Sequence, residues 1–333
     1  MTIQEKLEKA GIRHFDVLIH DQKKEWLVSN FNQGAEKYPV NVAMLMRNII
    51  WQTRERILKG EKPPLKELVR TFWYMYIKPT LSRADSLASE TDQYKQLNAQ
   101  LVYMVTEIEV MKYSDIGFRD ENQAHRRVGA NANIILFSEK LGHQEFLNEI
   151  AEKFRVSIIA LGGQPSVINV EYFVDELKKL RINLQRSFYL YSVVDYDTSG
   201  WIIRDAFVDN LRFYGIQNIR LIDLVNPDAL SPEEIMISRY RMPAPASMKK
   251  KNNAWVKVVS KQGFKNQKYL FDTTNPKELF GLESEAISTK RLNEALETSM
   301  VPLIGKSEDL LRNYELKKLN EAIEQLILKK LAA

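Results

Sequence analysis

Apolar residues in the first third of the chain recur every three or four positions, which is the spacing of amphipathic helices. This pattern predicts helices over 41–58, 65–77 and 90–111. The first two helices are separated by the breaker sequence Lys-Gly-Glu-Lys-Pro-Pro, which forces a turn. Two helices joined by a short turn indicate a helix-turn-helix or winged-helix module. A polar linker from Ser114 to Asn133 ends this part.

The hydrophobic pattern changes after Asn133, where short apolar runs alternate with amphipathic helices. Such alternation is typical of a parallel α/β sheet, and it predicts strands at 134–137, 157–161, 187–194 and 219–225. The predicted fold class is therefore α/β. It comprises a helical, winged-helix-like domain over 1–130 and a second domain over 131–333, which has a four-stranded parallel sheet and C-terminal helical elements over 289–331.

Three carboxylates directly follow predicted strands. Glu139 comes after the first apolar run, and Asp195 and Asp197 end the third in Val-Val-Asp-Tyr-Asp. Ligands bind beyond the carboxyl ends of parallel strands, and residues two apart in extended chain point to the same side. Oxygen ligands without His or Cys favour Mg²⁺ or Mn²⁺. The alternative is that these residues are N-caps of the following helices.

A tyrosine in the helix predicted over 65–77 points away from its apolar stripe. That stripe is formed by Leu65, Leu68, Val69, Phe72 and Tyr76. An advance of about 100° per residue puts Tyr74 roughly opposite the stripe, with Arg70 one turn earlier on a similar face. Tyr74 is therefore a candidate for chemistry. The alternative is an ordinary amphipathic helix whose extra aromatic residues pack against a neighbouring domain.

Composition narrows the chemistry further. The chain has no cysteine, which excludes thiolate nucleophiles and cysteine-based metal sites and favours an intracellular location. Its four histidines lack metal-ligand spacing. A net charge of +5 is compatible with a polyanionic partner. A signal peptide and a membrane-spanning apolar stretch are both missing from the pattern, so no membrane association is expected.

The glutamate, the Asp-Tyr-Asp sequence and the four-strand pattern resemble a Toprim domain, the metal-binding fold of topoisomerases, primases and related nucleases. Two further sequences narrow this resemblance to one family within the Toprim proteins: Gly162-Gly163-Gln164-Pro165 and Asp195-Tyr196-Asp197-Thr198-Ser199-Gly200-Trp201. They resemble the topoisomerase VI A subunit and the related meiotic double-strand-break protein. This resemblance implies that Glu139, Asp195 and Asp197 are ligands of Mg²⁺.

The same family carries its DNA-cleaving tyrosine in an Arg-x-Ile-Tyr/Phe-Tyr motif, which Val69-Arg70-Thr71-Phe72-Trp73-Tyr74 resembles. The resemblance implies that Tyr74 is the nucleophile and that Arg70 assists it. Trp73 departs from the motif, because the family has Tyr or Phe there. Tyr76 is a second candidate nucleophile, disfavoured because it lies on the apolar stripe.

The resemblance implies a DNA-cleaving subunit of a type IIB topoisomerase, acting in the cytoplasm at the nucleoid. It also implies a homodimer that cuts double-stranded DNA and stays covalently attached, with Tyr74 of one protomer meeting the metal site of the other. The sequence has no P-loop, so ATP would come from a GHKL-type B subunit. Two rivals remain: a Toprim nuclease that hydrolyses DNA without a tyrosine, as in some plasmid-defence assemblies, and a non-catalytic DNA-binding scaffold.

A basic segment from Lys249 to Tyr269 is a second candidate DNA contact. Trp255 and Phe264 would hold it in place, and phosphates would be contacted by Lys249, Lys250, Lys251, Lys257, Lys261, Lys265 and Lys268. A solvated strand-turn-strand surface explains the same pattern equally well.

Overall fold

The structure, a computed structural model, describes residues 1–163, 165–243, 245–271 and 278–305, together with 316, 318–320, 322–328 and 330. The chain forms two compact units. The N-terminal unit comprises Met1–Gln123 and Val167–Tyr172, and the sheet unit comprises Ala124–Ser166 and Phe173–Ala333. Across the described residues, no helix is long and apolar enough to cross a lipid bilayer.

The N-terminal unit is built from helices around α3, which buries Leu45, Met46, Ile49 and Ile50. Single π-helical turns at Trp73–Ile77 and Tyr103–Glu107 follow two of its helices. Over residues 1–123, all of which are described, backbone pairing between extended segments is limited to a bridge from Leu68 to Arg119. The helices are α1 (Ile3–Lys9), α2 (Lys24–Phe31), α3 (Val42–Leu58), α4 (Val69–Phe72), α5 (Lys78–Arg83), α6 (Glu90–Val102) and α7 (Tyr113–Ile116).

The helix predicted over 65–77 begins later and continues further than the apolar pattern suggested. Leu65 and Lys66 donate backbone hydrogen bonds to Ile116 and Gly117, so this stretch is held outside the helix. From Val69 the chain is helical through the π turn to Arg83. Leu65 and Leu68 matched the helical spacing because both are half-buried without being helical, and Leu65 packs against the core.

The sheet unit contains a five-stranded mixed sheet with the order β1-β3-β2-β4-β5. Its strands are β1 (Arg126–Arg127), β2 (Asn131–Ser138), β3 (Val156–Ala160), β4 (Phe188–Val193) and β5 (Ile219–Asp223). The last four are parallel, whereas β1 pairs antiparallel with β3. The four-stranded, all-parallel prediction is therefore wrong. A two-residue strand inside a polar segment has no apolar run to reveal it.

The remaining elements of the sheet unit are six helices and a small two-stranded sheet of β6 (Arg239–Arg241) and β7 (Phe280–Leu282). The helices are α8 (Gln144–Phe154), α9 (Val167–Lys179), which begins in the N-terminal unit, α10 (Thr198–Phe213), α11 (Pro232–Ser238), α12 (Ala246–Val259) and α13 (Thr289–Ile304). Part of the helix predicted over 289–331 lies outside the described residues, which include none of 306–315.

The strand-turn-strand interpretation of the segment Lys249–Tyr269 is wrong. Helix α12 fills its first part, and a 3-10 turn follows at Lys265–Tyr269. The buried residues of α12 are Asn252, Trp255, Val256 and Val259, which is the i, i+3, i+4, i+7 spacing of one helix face. The exposed lysines between them masked this spacing.

The order of the strands creates a crevice at one edge of the sheet. The chain leaves β2 through α8 to β3, on one side, and leaves β4 through α10 to β5, on the other. Strands β2 and β4 are neighbours, with Ser138 opposite Val193. Adjacent parallel strands whose connections diverge leave a crevice beyond their carboxyl ends, where ligands bind in open α/β sheets.

Candidate metal site and candidate nucleophile

The structure brings all three predicted acidic residues to this crevice. Glu139 directly follows β2, and its backbone N–H donates to the Val193 carbonyl of β4 over 3.2 Å. Asp195 and Asp197 follow β4, and Asp197 is the N-cap residue of α10. These three residues at the carboxyl ends of β2 and β4 are called the acidic crevice below.

Glu139 is the least satisfied of the three carboxylates. Its Oε2 atom is buried and has no hydrogen-bond partner among the residues that the structure describes. Burial raises the pKa of Glu139, and the negative charges of Asp195 and Asp197 raise it further, against a backbone hydrogen bond from Asp195. The carboxylates therefore lie close enough to repel one another. Such like charges in partial burial are a feature of functional sites.

Asp195 is held by a loop that follows β7. Its Oδ1 atom accepts hydrogen bonds from the Ser284 backbone N–H at 2.7 Å and the Ser284 hydroxyl at 2.9 Å. The Lys140 Nζ lies 3.3 Å from the same oxygen. Behind Ser284, the buried His143 ring places Nε2 3.1 Å from its hydroxyl. Asp195 is therefore fixed in orientation from one side, through Oδ1.

Both carboxylate oxygens of Asp197 are bonded to protein groups. Oδ1 accepts from the Gly200 backbone N–H at 2.7 Å, which is the N-cap bond of α10, and Oδ2 accepts from the Tyr240 hydroxyl. Burial raises the pKa of Asp197 despite these two hydrogen bonds. Burial and the carboxylate together raise the pKa of Tyr240 as well. The N-cap interpretation is thus correct for Asp197, which also lies beside the other two acids.

Close backbone packing shapes the acidic crevice. A Cβ at Gly200 would lie 2.3 Å from the Asp195 carbonyl oxygen, so only glycine fits where α10 begins. A Cβ at Gly281 would lie 2.9 Å from the Tyr240 ring and 3.0 Å from Asp197 Cβ. Tyr196 and Leu282 exchange backbone hydrogen bonds, which join the acidic loop to β7.

The glycine motif after β3 lies at the same edge. Gly162 and Gly163 have φ of 66° and 107°, which a residue with a side chain rarely adopts. The Gly163 backbone N–H donates to the Glu139 carbonyl at 2.9 Å. The motif's third residue, Gln164, lies outside the described residues.

The side chains of the acidic crevice fit a hard divalent cation in their chemistry. In the part of the chain that the structure describes, no three His, Asp or Glu side chains are arranged to hold a metal ion as they stand. However, Glu139 Oε2 is a buried acceptor without a donor, and the neighbouring ligand atoms are all oxygens. A cation bound here would satisfy that oxygen and offset the repulsion among the carboxylates.

Tyr74 lies in the N-terminal unit, within the π turn that follows α4. Its side chain is 43% exposed, whereas its neighbour Trp73 is fully buried. A π turn in an α-helix often marks a functional site. Here it turns Trp73 into the core, which explains how this helix accommodates a large aromatic residue beside an exposed tyrosine.

The Tyr74 hydroxyl is surrounded by charged side chains. It donates to Glu90 Oε1 at 2.6 Å, and the Lys78 ammonium donates to Glu90 Oε2 at 2.7 Å. These two bonds, that from Lys78 first, lower the pKa of Glu90. A hydrogen bond with Tyr74 raises the pKa of Arg70, so the guanidinium also reaches the phenol. Tyr76, by contrast, is half-buried and bonded to Lys62.

A cavity of about 320 Å³ adjoins this tyrosine. It is lined by Arg70, Trp73, Tyr74, Glu90, Thr91 and Tyr94. The indole N–H of Trp73 is buried without a hydrogen-bond acceptor. The predicted pair of Arg70 and Tyr74 is therefore together, and Glu90 and Lys78 complete a site that sequence reasoning missed. Lys78 lies four residues after Tyr74 in the same continuous helical stretch, and Glu90 comes from α6; both follow the motif, so the motif itself carried no signal for them.

In the segment Lys249–Tyr269, all seven lysines named above are exposed, Trp255 is buried and Phe264 is half-buried. Lys249, Lys250, Lys251 and Lys257 project from α12, and the other three follow it. Exposed lysines on a helix are available to a polyanion and equally to solvent.

Sequence reasoning also missed the residues around the acidic crevice. Lys140, Tyr240 and Ser284 contact the carboxylates, and Ser284 lies 89 positions from Asp195 in sequence. The run Glu283-Ser284-Glu285 was the one available signal for them.

No known family model matches the chain, and the chain matches no curated protein. The resemblance to the topoisomerase VI A subunit therefore rests on the motifs around Tyr74, Glu139, Gly162 and Asp195.

Proposed function

We propose that the chain is the DNA-cleaving subunit of a topoisomerase VI-like enzyme, which breaks double-stranded DNA by Mg²⁺-dependent transesterification from Tyr74. One observation carries the proposal. Three mutually repelling carboxylates lie at the carboxyl ends of the neighbouring strands β2 and β4, whose connections diverge, and one of their oxygens is buried without a hydrogen-bond partner among the described residues. A crevice of that kind is suited to a hard divalent cation and a phosphate ligand.

In this proposal Glu139, Asp195 and Asp197 would hold Mg²⁺, which would supply positive charge to the phosphate under attack. Ser284 donates two hydrogen bonds to Asp195 Oδ1 and so fixes the orientation of this carboxylate. The Tyr240 hydroxyl holds Asp197 in place from the opposite side.

Tyr74 attacks a DNA phosphate, and its neighbours support that chemistry. A free phenol has a pKa of about 10 and is a poor nucleophile at neutral pH, so its proton needs an acceptor. Glu90 accepts that proton at 2.6 Å, while the Arg70 guanidinium and the Lys78 ammonium offer positive charge to the phosphate. The phosphotyrosyl bond forms as the bond from phosphorus to the sugar oxygen breaks. The departing oxygen takes a proton from water.

Reversibility follows from this chemistry, because the phosphotyrosyl bond keeps the energy of the broken phosphodiester. A double-strand break needs two nucleophiles, so we propose a homodimer that supplies one Tyr74 for each strand. A GHKL-type ATPase subunit would provide the ATP-dependent step, and the nucleoid in the cytoplasm would be the place of action. The exposed lysines of α12 are available to the DNA backbone.

The test uses supercoiled plasmid and Mg²⁺, with and without a GHKL-type partner. Wild type is compared with Tyr74→Phe, Asp195→Ala and the matched control Tyr76→Phe. We expect wild type and Tyr76→Phe to form linear DNA bound covalently to protein, detected by detergent trapping and proteinase treatment. Tyr74→Phe and Asp195→Ala should form none.

Two results would contradict the proposal in different ways. If Tyr74→Phe still cuts and leaves free ends, the chain is a hydrolytic nuclease that uses the acidic crevice alone. If neither wild type nor any variant cuts while wild type binds DNA, the chain is a binding scaffold.

A further inference from the structure

A lysine side chain lies against the acidic crevice. Lys140 directly follows Glu139, and its Nζ lies 3.3 Å from Asp195 Oδ1. The Lys140 side chain is 25% exposed and that of Asp195 is 14% exposed, so solvent screens this pair only in part.

Lys140 has a second set of partners further out. Its Nζ lies 3.2 Å from Glu285 and 3.9 Å from Glu283, both of which are more than half exposed. The ammonium is thus shared between a carboxylate of the acidic crevice and two surface carboxylates. A small rotation of the flexible lysine stem would leave it paired with the outer two alone.

An ammonium and a divalent cation on the same carboxylate repel each other. Asp195 can therefore pair either with the Lys140 ammonium or with a divalent cation from solution. The Ser284 backbone N–H and hydroxyl stay on Oδ1 in both cases, so the exchange requires no rearrangement of the loop.

We propose that Lys140 is an internal counter-ion of the acidic crevice, and that a divalent cation binds by displacing its ammonium from Asp195 towards Glu283 and Glu285. This inference rests on the proposed function for the metal site and adds a residue that sets the affinity of that site. Lys140 lowers cation affinity and stabilises the carboxylates when the cation has left.

The test measures Mn²⁺ binding by the full chain without DNA, from the electron paramagnetic resonance signal of free Mn²⁺. Lys140→Met is compared with wild type and with Lys153→Met, a control lysine of the sheet unit that pairs with the exposed Glu297. We expect Lys140→Met to bind Mn²⁺ at least tenfold more tightly than wild type. Lys153→Met should equal wild type, and adding Asp195→Asn to Lys140→Met should abolish the gain.

A second measurement needs no variant, in case Lys140→Met folds poorly. Amine acetylation is followed by mass spectrometry in wild type, with and without Mn²⁺. Displacement from Asp195 predicts that Lys140 becomes at least twofold more reactive when Mn²⁺ is added, while Lys153 is unchanged.

The outcomes separate this inference from the proposed function. If wild type binds Mn²⁺ but Lys140→Met binds equally or less well, Lys140 is no counter-ion and the metal site stands. If folded wild type and Lys140→Met both fail to bind Mn²⁺ at millimolar concentration, the metal site and the counter-ion are both wrong. Binding by Lys140→Met alone would support the inference in its strongest form.

Discussion

The Tyr74 site and the acidic crevice differ in how their charged side chains are arranged. Around Tyr74, a half-exposed anion is paired with cations: Glu90 is bonded to Lys78, and the exposed Arg70 is close by. In the acidic crevice, carboxylates of the same sign are gathered in partial burial, and the pKa of both Glu139 and Asp197 is raised. The first site is a set of neutralised pairs at the surface, whereas the second retains an unbalanced negative charge.

Because of this difference, the two sites affect the free energy of unfolding differently. Exposed ion pairs contribute little to the free energy of unfolding. Like charges in a crevice lower that free energy, and they persist only because surrounding backbone contacts hold them together. Variants that disturb the acidic crevice or other buried charges of the sheet unit should therefore alter stability, and variants around Tyr74 should alter activity alone. The four predictions below test this division, in order of decreasing effect on stability.

Gly200→Ala should have the largest effect. The new Cβ would lie 2.3 Å from the Asp195 carbonyl oxygen, so the first turn of α10 has to move away from the acidic loop. We expect a loss of more than about 4 kcal/mol in the free energy of unfolding, measured by urea denaturation. Gly142→Ala is the control, because its Cβ would approach only the end of the flexible Glu285 side chain, at 3.3 Å. Equal stability of the two variants would show that this backbone contact is soft.

Arg204→Met should have the next largest effect. Arg204 and Asp223 form a buried ion pair at 2.7 Å, with side chains that are 7% and 14% exposed. Removal of the cation leaves Asp223 buried and charged, which costs roughly 3–5 kcal/mol. The double variant Arg204→Met with Asp223→Asn should recover part of that loss. Arg212→Met, which breaks only the exposed pair with Asp209, should unfold like wild type. A large loss in that control would contradict the division between buried and exposed charge.

Glu139→Gln should change stability in the opposite direction. A carboxyl group whose pKa is raised on folding binds its proton more tightly in the folded state, so wild-type stability should fall as pH rises through the window between its ordinary and its raised pKa. The glutamine variant removes this slope and the repulsion from Asp195 and Asp197. We expect it to be more stable than wild type at pH 7.

The control for this prediction is Glu149→Gln on α8, an exposed position. Melting curves recorded across the acid and neutral range should show the same pH dependence of stability for Glu149→Gln as for wild type. A Glu139→Gln variant less stable than wild type at neutral pH would mean that the charge is already compensated within the protein.

The sequence predicted the features that leave a local hydrophobic pattern and missed those that depend on tertiary contacts. Apolar runs marked β2 to β5, and strand order then brought Glu139 and Asp195 to one edge, because parallel strands share their carboxyl ends. No apolar run marks the two residues of β1, and a helical period cannot reveal the π turn at Trp73–Ile77. The contacts of Ser284 with Asp195 depend on the tertiary fold, and no local pattern encodes them.

Glu90→Gln should have the smallest effect on stability and a clear effect on chemistry. Glu90 is half-exposed on α6 and its ion pair with Lys78 is screened by solvent, so its loss should change the melting temperature little. Its carboxylate accepts the Tyr74 proton, and a neutral amide cannot remove that proton, so covalent complex formation should slow by about a hundredfold or more. Because the hydrogen bond from Lys78 lowers the pKa of Glu90, the wild-type carboxylate is ionised throughout the neutral range, and its titration should not shape the pH profile there.

The control for this prediction is Glu67→Gln, a change at an exposed position before α4, which should cleave like wild type. If Glu90→Gln cleaves as fast as wild type, Glu90 is only an ion-pair partner of Lys78, and another group accepts the Tyr74 proton.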